Sequence, residues 1–312
     1  MKRSTRLAVA AATAALGLTS AGLLQAAENT RTTRHHRTND TSEASTSTTI
    51  SDRALGQLEK ASKLNGKEIL GADNQKVGKL VDTVVDLESG HILYAIVGSG
   101  GVGPVGEKKY MVAPGTFTDF SGDKLHVNFD KAKLTSAPEF TKNMDKDTEL
   151  GKADPIYRTH QFFSQNIWWQ GGANAPAAST GQFNNVHKSS DLVGMKIRSV
   201  SDQEMGKIDN VMLNLPAGRV AYVILNPDNS LGLGNNFYAL PPNTLTFQAD
   251  KKDFSADISK EKLASAPHFD KNNWAELSNP SWASQVYQYY GKQAYFDASG
   301  KLEPTGRPST KN

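Results

Sequence analysis

The sequence contains no cysteine. That absence excludes disulfides, thiolate nucleophiles, cysteine-based zinc sites and a lipid-modified cysteine anchor. A chain without cross-links must be held by core packing, and 38% hydrophobic residues make two domain-sized cores feasible. Charge of one sign is also scarce, with 35 Lys and Arg against 32 Asp and Glu and a formal excess of +3. Lys2, Arg3 and Arg6 equal that whole excess, and no acid precedes Glu28. The remainder is near neutral, so the basic balance is no footprint for nucleic acid. Long apolar runs are missing beyond residues 7–24, which are full of Ala, Gly, Ser and Thr and make a marginal membrane span. The histidines His35, His36, His91, His126, His160, His187 and His268 show no His-x-x-x-His or His-Glu-x-x-His spacing. No Gly-x-Ser-x-Gly elbow occurs either. These absences leave no catalytic set, no metal site and no cofactor to assign.

What is present is a repeat. Leu64, Gly66, Ile69, Gln75, Gly78, Lys79, Gly90, Tyr94 and Ile96 recur 128 residues later as Leu192, Gly194, Ile197, Gln203, Gly206, Lys207, Gly218, Tyr222 and Ile224. The register holds through Tyr110, Pro114, Thr116 and Thr118 against Tyr238, Pro242, Thr244 and Thr246. One inserted residue later, Leu134 to Pro138 with Phe140 matches Leu263 to Pro267 with Phe269. Each copy spans roughly 80 to 100 residues, a domain rather than a solenoid unit. Short runs rich in β-branched and aromatic residues, such as Leu80-Val81-Asp82-Thr83-Val84-Val85 and Tyr94-Ala95-Ile96-Val97, are bounded by Gly, Asn and Asp clusters. Five or six such strands predict a mainly β protein, with each copy a small closed barrel or sandwich. Closure would also remove the exposed strand edges.

Gly78-Lys79-Leu80-Val81-Asp82-Thr83-Val84-Val85-Asp86, then Gly90, Tyr94-Ala95-Ile96-Val97 and a glycine-rich turn, resembles the PRC-barrel family. Gly206-Lys207-Ile208-Asp209-Asn210-Val211-Met212-Leu213-Asn214 resembles a second member, with Asn210 and Asn214 in place of Asp82 and Asp86. The family includes barrels of the photosynthetic reaction centre H subunit and of a ribosome-maturation factor. The resemblance covers about 64–140 and 192–269 and implies two small β-barrels in tandem. It implies little about function, since one fold hosts many.

The remaining segments frame these copies. Residues 1–27 read as an export signal, with a basic start, an apolar stretch and small residues before a cleavage site near Ala26 or Ala27. Residues 28–60 are expected as a disordered polar linker, 61–165 as the first barrel with a C-terminal helix, and 166–188 as a second linker. The second barrel with its helix is expected over 189–296, followed by a flexible tail over 297–312. Asp154-Pro155 and Asn279-Pro280 each place a capping residue before a proline at the first helical position, and Gly291 suits a helix stop. Gly98, Gly100 and Gly103 spell a dinucleotide loop, but Pro104 to Val112 turns next into another strand, so no helix N-terminus awaits a phosphate.

Candidate partner-binding residues are Trp168 and Trp169 in the second linker and Trp282, Tyr289 and Tyr290 on the last helix. The competing role for these aromatics is to seal the barrels or the contact between them. Two function classes follow. One is a non-enzymatic binding or adaptor module of the bacterial periplasm or envelope, meeting a protein or envelope component. The other is an envelope enzyme, hydrolase-like, with a site between the barrels near Asp82, Asp86 or His91. RNA binding, by analogy with the ribosome-maturation relative, conflicts with the export signal and the near-neutral charge.

Overall fold

A computed structural model of the chain describes residues 55–100, 106–119, 122–169 and 181–303. The export signal, most of the first linker, the Gly101–Gly103 part of the glycine loop and the end of the tail lie outside them. The first copy runs β1 (Glu59–Lys60), α1 (Ala61–Leu64), β2 (Glu68–Leu70), β3 (Lys76–Asp86), β4 (His91–Ser99), β5 (Lys108–Val112), β6 (Phe117–Asp119), β7 (Lys124–Val127), α2 (Lys131–Thr135), α3 (Asp147–Leu150) and α4 (Ala153–Phe162). The second runs β8 (Val186–Lys188), α5 (Ser189–Leu192), β9 (Lys196–Ser199), β10 (Glu204–Asn214), β11 (Arg219–Pro227), β12 (Asn236–Leu240), β13 (Leu245–Gln248), β14 (Asp253–Ala256), α6 (Lys260–Ala264), β15 (His268–Asp270) and α7 (Pro280–Tyr289). The fold is mainly β and duplicated, as the repeat predicts.

Within the first copy the hydrogen-bonded path is β5-β4-β3-β2-β7-β6, with β2 and β7 parallel and the other neighbours antiparallel. The second copy repeats it as β12-β11-β10-β9-β14-β13. Even the bulges repeat, with register shifts around Val81 in β3 and Asp209 in β10. The expected closure of each barrel is not seen: among the described residues no ladder joins β5 to β6, or β12 to β13. The reason is competition for the edge. Met111 and Phe140 N–H groups bond across β5 to the Pro138 and Lys109 carbonyls, and β15 takes the same edge of β12. Pro114 and Pro242, at the tight turns before β6 and β13, bring no N–H to continue a ladder.

The two copies are joined by exchange. β1 pairs with β10, Lys60 opposite Met212, and β8 pairs with β3, Lys188 opposite Val84. These pairings are equivalent under the repeat offset, which defines a pseudo-twofold axis between the copies. At that axis the Ile92 N–H bonds the Gly218 carbonyl and the Val220 N–H bonds the Gly90 carbonyl, at 2.9 and 3.0 Å. Gly90 and Gly218 both have left-handed φ, and each sits against the opposite copy's proline ring, Pro242 or Pro114. A β-carbon there would meet strain and a 3.2 Å contact together. The exchange also covers both faces of the long strands, so residues 82–86 of β3 are all buried.

The domain boundaries shift accordingly. Leu55 is buried, its N–H bonds the Gly300 carbonyl, and Glu59–Lys60 form β1, so the first linker ends before residue 55. Val186–Lys188 are strand rather than linker. Asp297 anchors the start of the tail by accepting from the Ser299 and Lys301 N–H groups. Apolar burial and backbone pairing are the physical reason for the first two and a carboxylate-held turn for the third, and composition alone does not report them. Both closing helices exist, but α4 starts at Ala153 after Lys152, which supplies no side-chain cap, so Pro155 falls third rather than first. α7 follows the expectation, with Asn279 accepting from the Ser281 and Trp282 N–H groups and Gly291 at left-handed φ just past its end. One large apolar cluster runs through both copies, for example Leu80 and Ile92 with Val211 and Tyr222. A smaller one lies under α3 and α4.

Candidate functional site

The acids singled out in the sequence are consumed by structure. The Val81 bulge re-aims Asp82. Its carboxylate accepts from the Thr83 N–H, the Ser189 hydroxyl at 2.7 Å, and both the N–H and hydroxyl of Ser190. Ser189 and Ser190 belong to the exchanged helix α5, so Asp82 ties the second copy to the first. Asn210 makes the reciprocal tie: its Oδ1 accepts from the Ser62 N–H and its Nδ2 donates to the Ser62 hydroxyl at 2.8 Å. Asp86 folds back on its own turn, accepting from the Glu88 and Ser89 N–H groups and the Ser89 hydroxyl. Burial pushes its carboxyl above the usual range, against the Ser89 hydroxyl and backbone bonds that favour the charged form. Asn214 holds the matching turn through the Ala217 N–H.

His91 has a different setting. It is the repeat equivalent of Arg219, and the two meet across the pseudo-twofold axis with Nδ1 and Nη1 3.2 Å apart. Guanidinium nitrogens only donate, so this contact requires a neutral imidazole whose Nδ1 accepts. The Ser89 carbonyl, 3.1 Å from the same Nδ1, competes for the other tautomer. Burial first, and the Arg219 charge second, hold His91 well below the usual imidazole range. The Trp168 indole lies flat on the His91 ring, with centroids 3.5 Å apart and 4° between planes. Arg219 in turn lies over the Tyr295 ring at 5.6 Å. Burial lowers the Arg219 pKa from its usual value, and among the described residues no carboxylate lies within ion-pair distance of it.

A cleft of about 430 Å³ opens on this pair. His91, His160, Gln165, Trp168, Arg219 and Glu303 are on its walls. His160 projects from α4, and its Nε2 lies 2.9 Å from the Leu93 carbonyl, which fixes the proton there. Its Nδ1 is then an acceptor, buried and without a hydrogen-bond partner. Burial holds this ring below the usual range, against the pull of the Leu93 and Asn166 backbones. Sequence reasoning did not bring His160 or Arg219 to a site. Their signal was available in part: Arg219 stands where the first copy has His91.

The five aromatic candidates separate. Trp168 is half-buried and lines the cleft. Trp169 is 3% exposed and packs edge-on against His160 and Phe183. Trp282 and Tyr290 are 8% and 7% exposed, with Trp282 against Tyr222 and Phe269. These three serve as seals of the core, which leaves them little surface for a partner. Tyr289 is half-buried and donates its hydroxyl to the Lys262 carbonyl. The structure also pairs Trp168-Trp169 with Tyr295-Phe296, 127 residues on, each pair packed edge-to-face at 5.3 and 5.2 Å.

A duplicated, exchanged pair of small β-domains, with Asp82 spent on a tie between the copies and Asp86 on a turn, defines the class. The PRC-barrel domain family matches residues 57–134 and again 184–263, about half of the chain, and the chain belongs to that family. No curated protein matches it. Tandem PRC-barrel domains fit a non-catalytic module. Among the described residues no helix is long and apolar enough to cross a membrane, and no group of three or more His, Asp or Glu side chains is placed to hold a metal ion.

Proposed function

We propose that this protein is a non-enzymatic binding or adaptor module of the bacterial periplasm or cell envelope, docking a protein or envelope component. The observation that carries the reading is the fate of Asp82. Its oxygens are saturated by Thr83, Ser189 and Ser190, which makes it a clamp between copies rather than an acid or base. The address is supported by the basic start, apolar stretch and small residues of 1–27.

Fractionation of a tagged full-length chain, followed by crosslinking and mass spectrometry, tests both parts. The expected result is a periplasmic or envelope fraction and one partner that recurs with different crosslinkers. A cytosolic chain would overturn the address. The competing hydrolase reading places a site near Asp82, Asp86 or His91, so their substitution would abolish turnover at an unchanged melting temperature. Under the adaptor reading the Asp82 and Asp86 substitutions lower the melting temperature instead.

A further inference from the structure

We propose that the cleft on the pseudo-twofold axis binds a small hydroxy acid, with Arg219 holding its carboxylate and His160 Nδ1 accepting from its hydroxyl. Such binding is independent of where the protein works and of what it docks.

Three independent observations converge on this cleft. The first is an uncompensated cation. Arg219 is half-buried beside a neutral imidazole and an aromatic ring, with no carboxylate in ion-pair distance among the described residues. A guanidinium removed from water is costly without a counter-ion, and its planar fork matches a carboxylate. Glu303, on the same wall, makes no ion pair with it. The second is an uncompensated acceptor. His160 is 3% exposed, lines the cleft and leaves Nδ1 without a partner. A buried lone pair of this kind calls for a donor such as a hydroxyl. The third is size and asymmetry. About 430 Å³ suits a small molecule.

The asymmetry comes from divergence of the two copies. In a symmetric dimer the axis would carry two histidines or two arginines. Here the same place carries one of each, flanked by Trp168 on one side and Tyr295 on the other. Trp168, stacked on His91, gives the ligand a flat wall without adding charge. A cation, a donor-seeking nitrogen and an aromatic wall around one small volume select an anion with a hydroxyl.

Isothermal titration of the full chain with D-gluconate, hexanoate, sorbitol and inorganic phosphate tests this. Gluconate is expected to give saturable heat and to quench tryptophan fluorescence, with affinity falling as salt rises. Hexanoate, which lacks the hydroxyls, and sorbitol, which lacks the carboxylate, should each bind at least about tenfold more weakly. Arg219→Gln should remove gluconate binding. The proposal is overturned if gluconate gives no saturable signal, if Arg219→Gln binds it equally well, or if hexanoate, sorbitol or phosphate matches it. Should Arg219→Gln fail to fold, the four-probe comparison on the unmodified chain still decides.

Discussion

His91 and Arg219 occupy the same position in two copies of one domain, and they meet, Nδ1 to Nη1, at 3.2 Å on the axis that relates those copies. A perfectly symmetric pair of barrels would place identical side chains there. Two arginines would repel and two histidines would leave no donor of fixed charge, so the heterotypic pair is a solution that a symmetric homodimer does not have.

That relationship predicts the effect of His91→Arg. Two guanidinium groups about 4 Å apart in a partly buried setting repel by up to about 4 kcal/mol before relaxation. We expect a loss of about 2–4 kcal/mol in urea denaturation, partly recovered at high salt. Arg219→His should cost less, because a neutral pair replaces the attraction without adding repulsion. Equal losses for the two variants would contradict the axial arrangement.

Asp82 provides a second test, since the other copy supplies its natural substitute. Asn210 keeps the tie to the opposite copy with one accepted and one donated bond to Ser62. Asp82→Asn should therefore cost about 1 kcal/mol, and Asp82→Ala about 2–4 kcal/mol, because the latter strands the buried Thr83 N–H and Ser189 hydroxyl donors. Urea midpoints at constant slope measure the difference. An Asp82→Ala protein of unchanged stability would remove the clamp from the account.

The repeat, the β character and the family were legible because glycine, tyrosine and isoleucine recur where a small barrel needs turns and core. Leu64 with Leu192 and Tyr94 with Tyr222 are fully buried in both copies. The exchange was not legible. β1 is two residues long and β8 three, too short for any periodic signal, and what fixes them is backbone pairing with a strand more than a hundred residues away. Trp168 also hid its role, because its partner position Tyr295 lies at an offset of 127 after a stretch at 129, and such gaps blur a repeat. Asp82 and Asp86 stand close together in the sequence, but the bulge at Val81 and the turn at Ser89 send them to different partners.

Acid should weaken the fold through its buried histidines. His91, His160 and His187 are all held below the usual imidazole range, mainly by burial, and His187 is pushed down to about 4. A base whose folded pKa lies below its unfolded value, near 6.5, favours the native state while neutral. Stability is then full above about pH 6.5 and falls as pH drops toward 4, where the unfolded chain binds protons that the native one refuses. For His187 alone the loss reaches about 3 kcal/mol at the low end. Asp86, pushed up by burial, works in the opposite sense only toward the bottom of that window. Melting temperature measured from pH 7.5 to 4.5 should fall, and His187→Gln should flatten the slope while retaining an amide near Asn185, its present partner at 3.1 Å. A flat profile in the unmodified chain would exclude buried neutral histidines.

The exchanged segments make a prediction about the halves. A fragment of 55–169 keeps β1 and α1 but loses β10, on which they pair, and it exposes the β3 edge that β8 covers. A fragment of 181–303 has the mirror defect. Each half thus carries an unpaired segment that fits the other's open edge, and Asp82 and Asn210 lose their Ser190 and Ser62 partners together. Bare edges of this kind favour association. We expect either fragment alone to lack a cooperative monomeric melt, and an equimolar mixture to form a 1:1 complex by analytical ultracentrifugation with a melt close to that of the full chain. The bonds restored include the backbone pair between Ile92 and Gly218 and between Val220 and Gly90, so Gly218→Ala in one fragment, with its left-handed φ and its contact to Pro114, should weaken the complex. Two fragments that fold independently and ignore each other would show that the reciprocal pairing contributes nothing to stability.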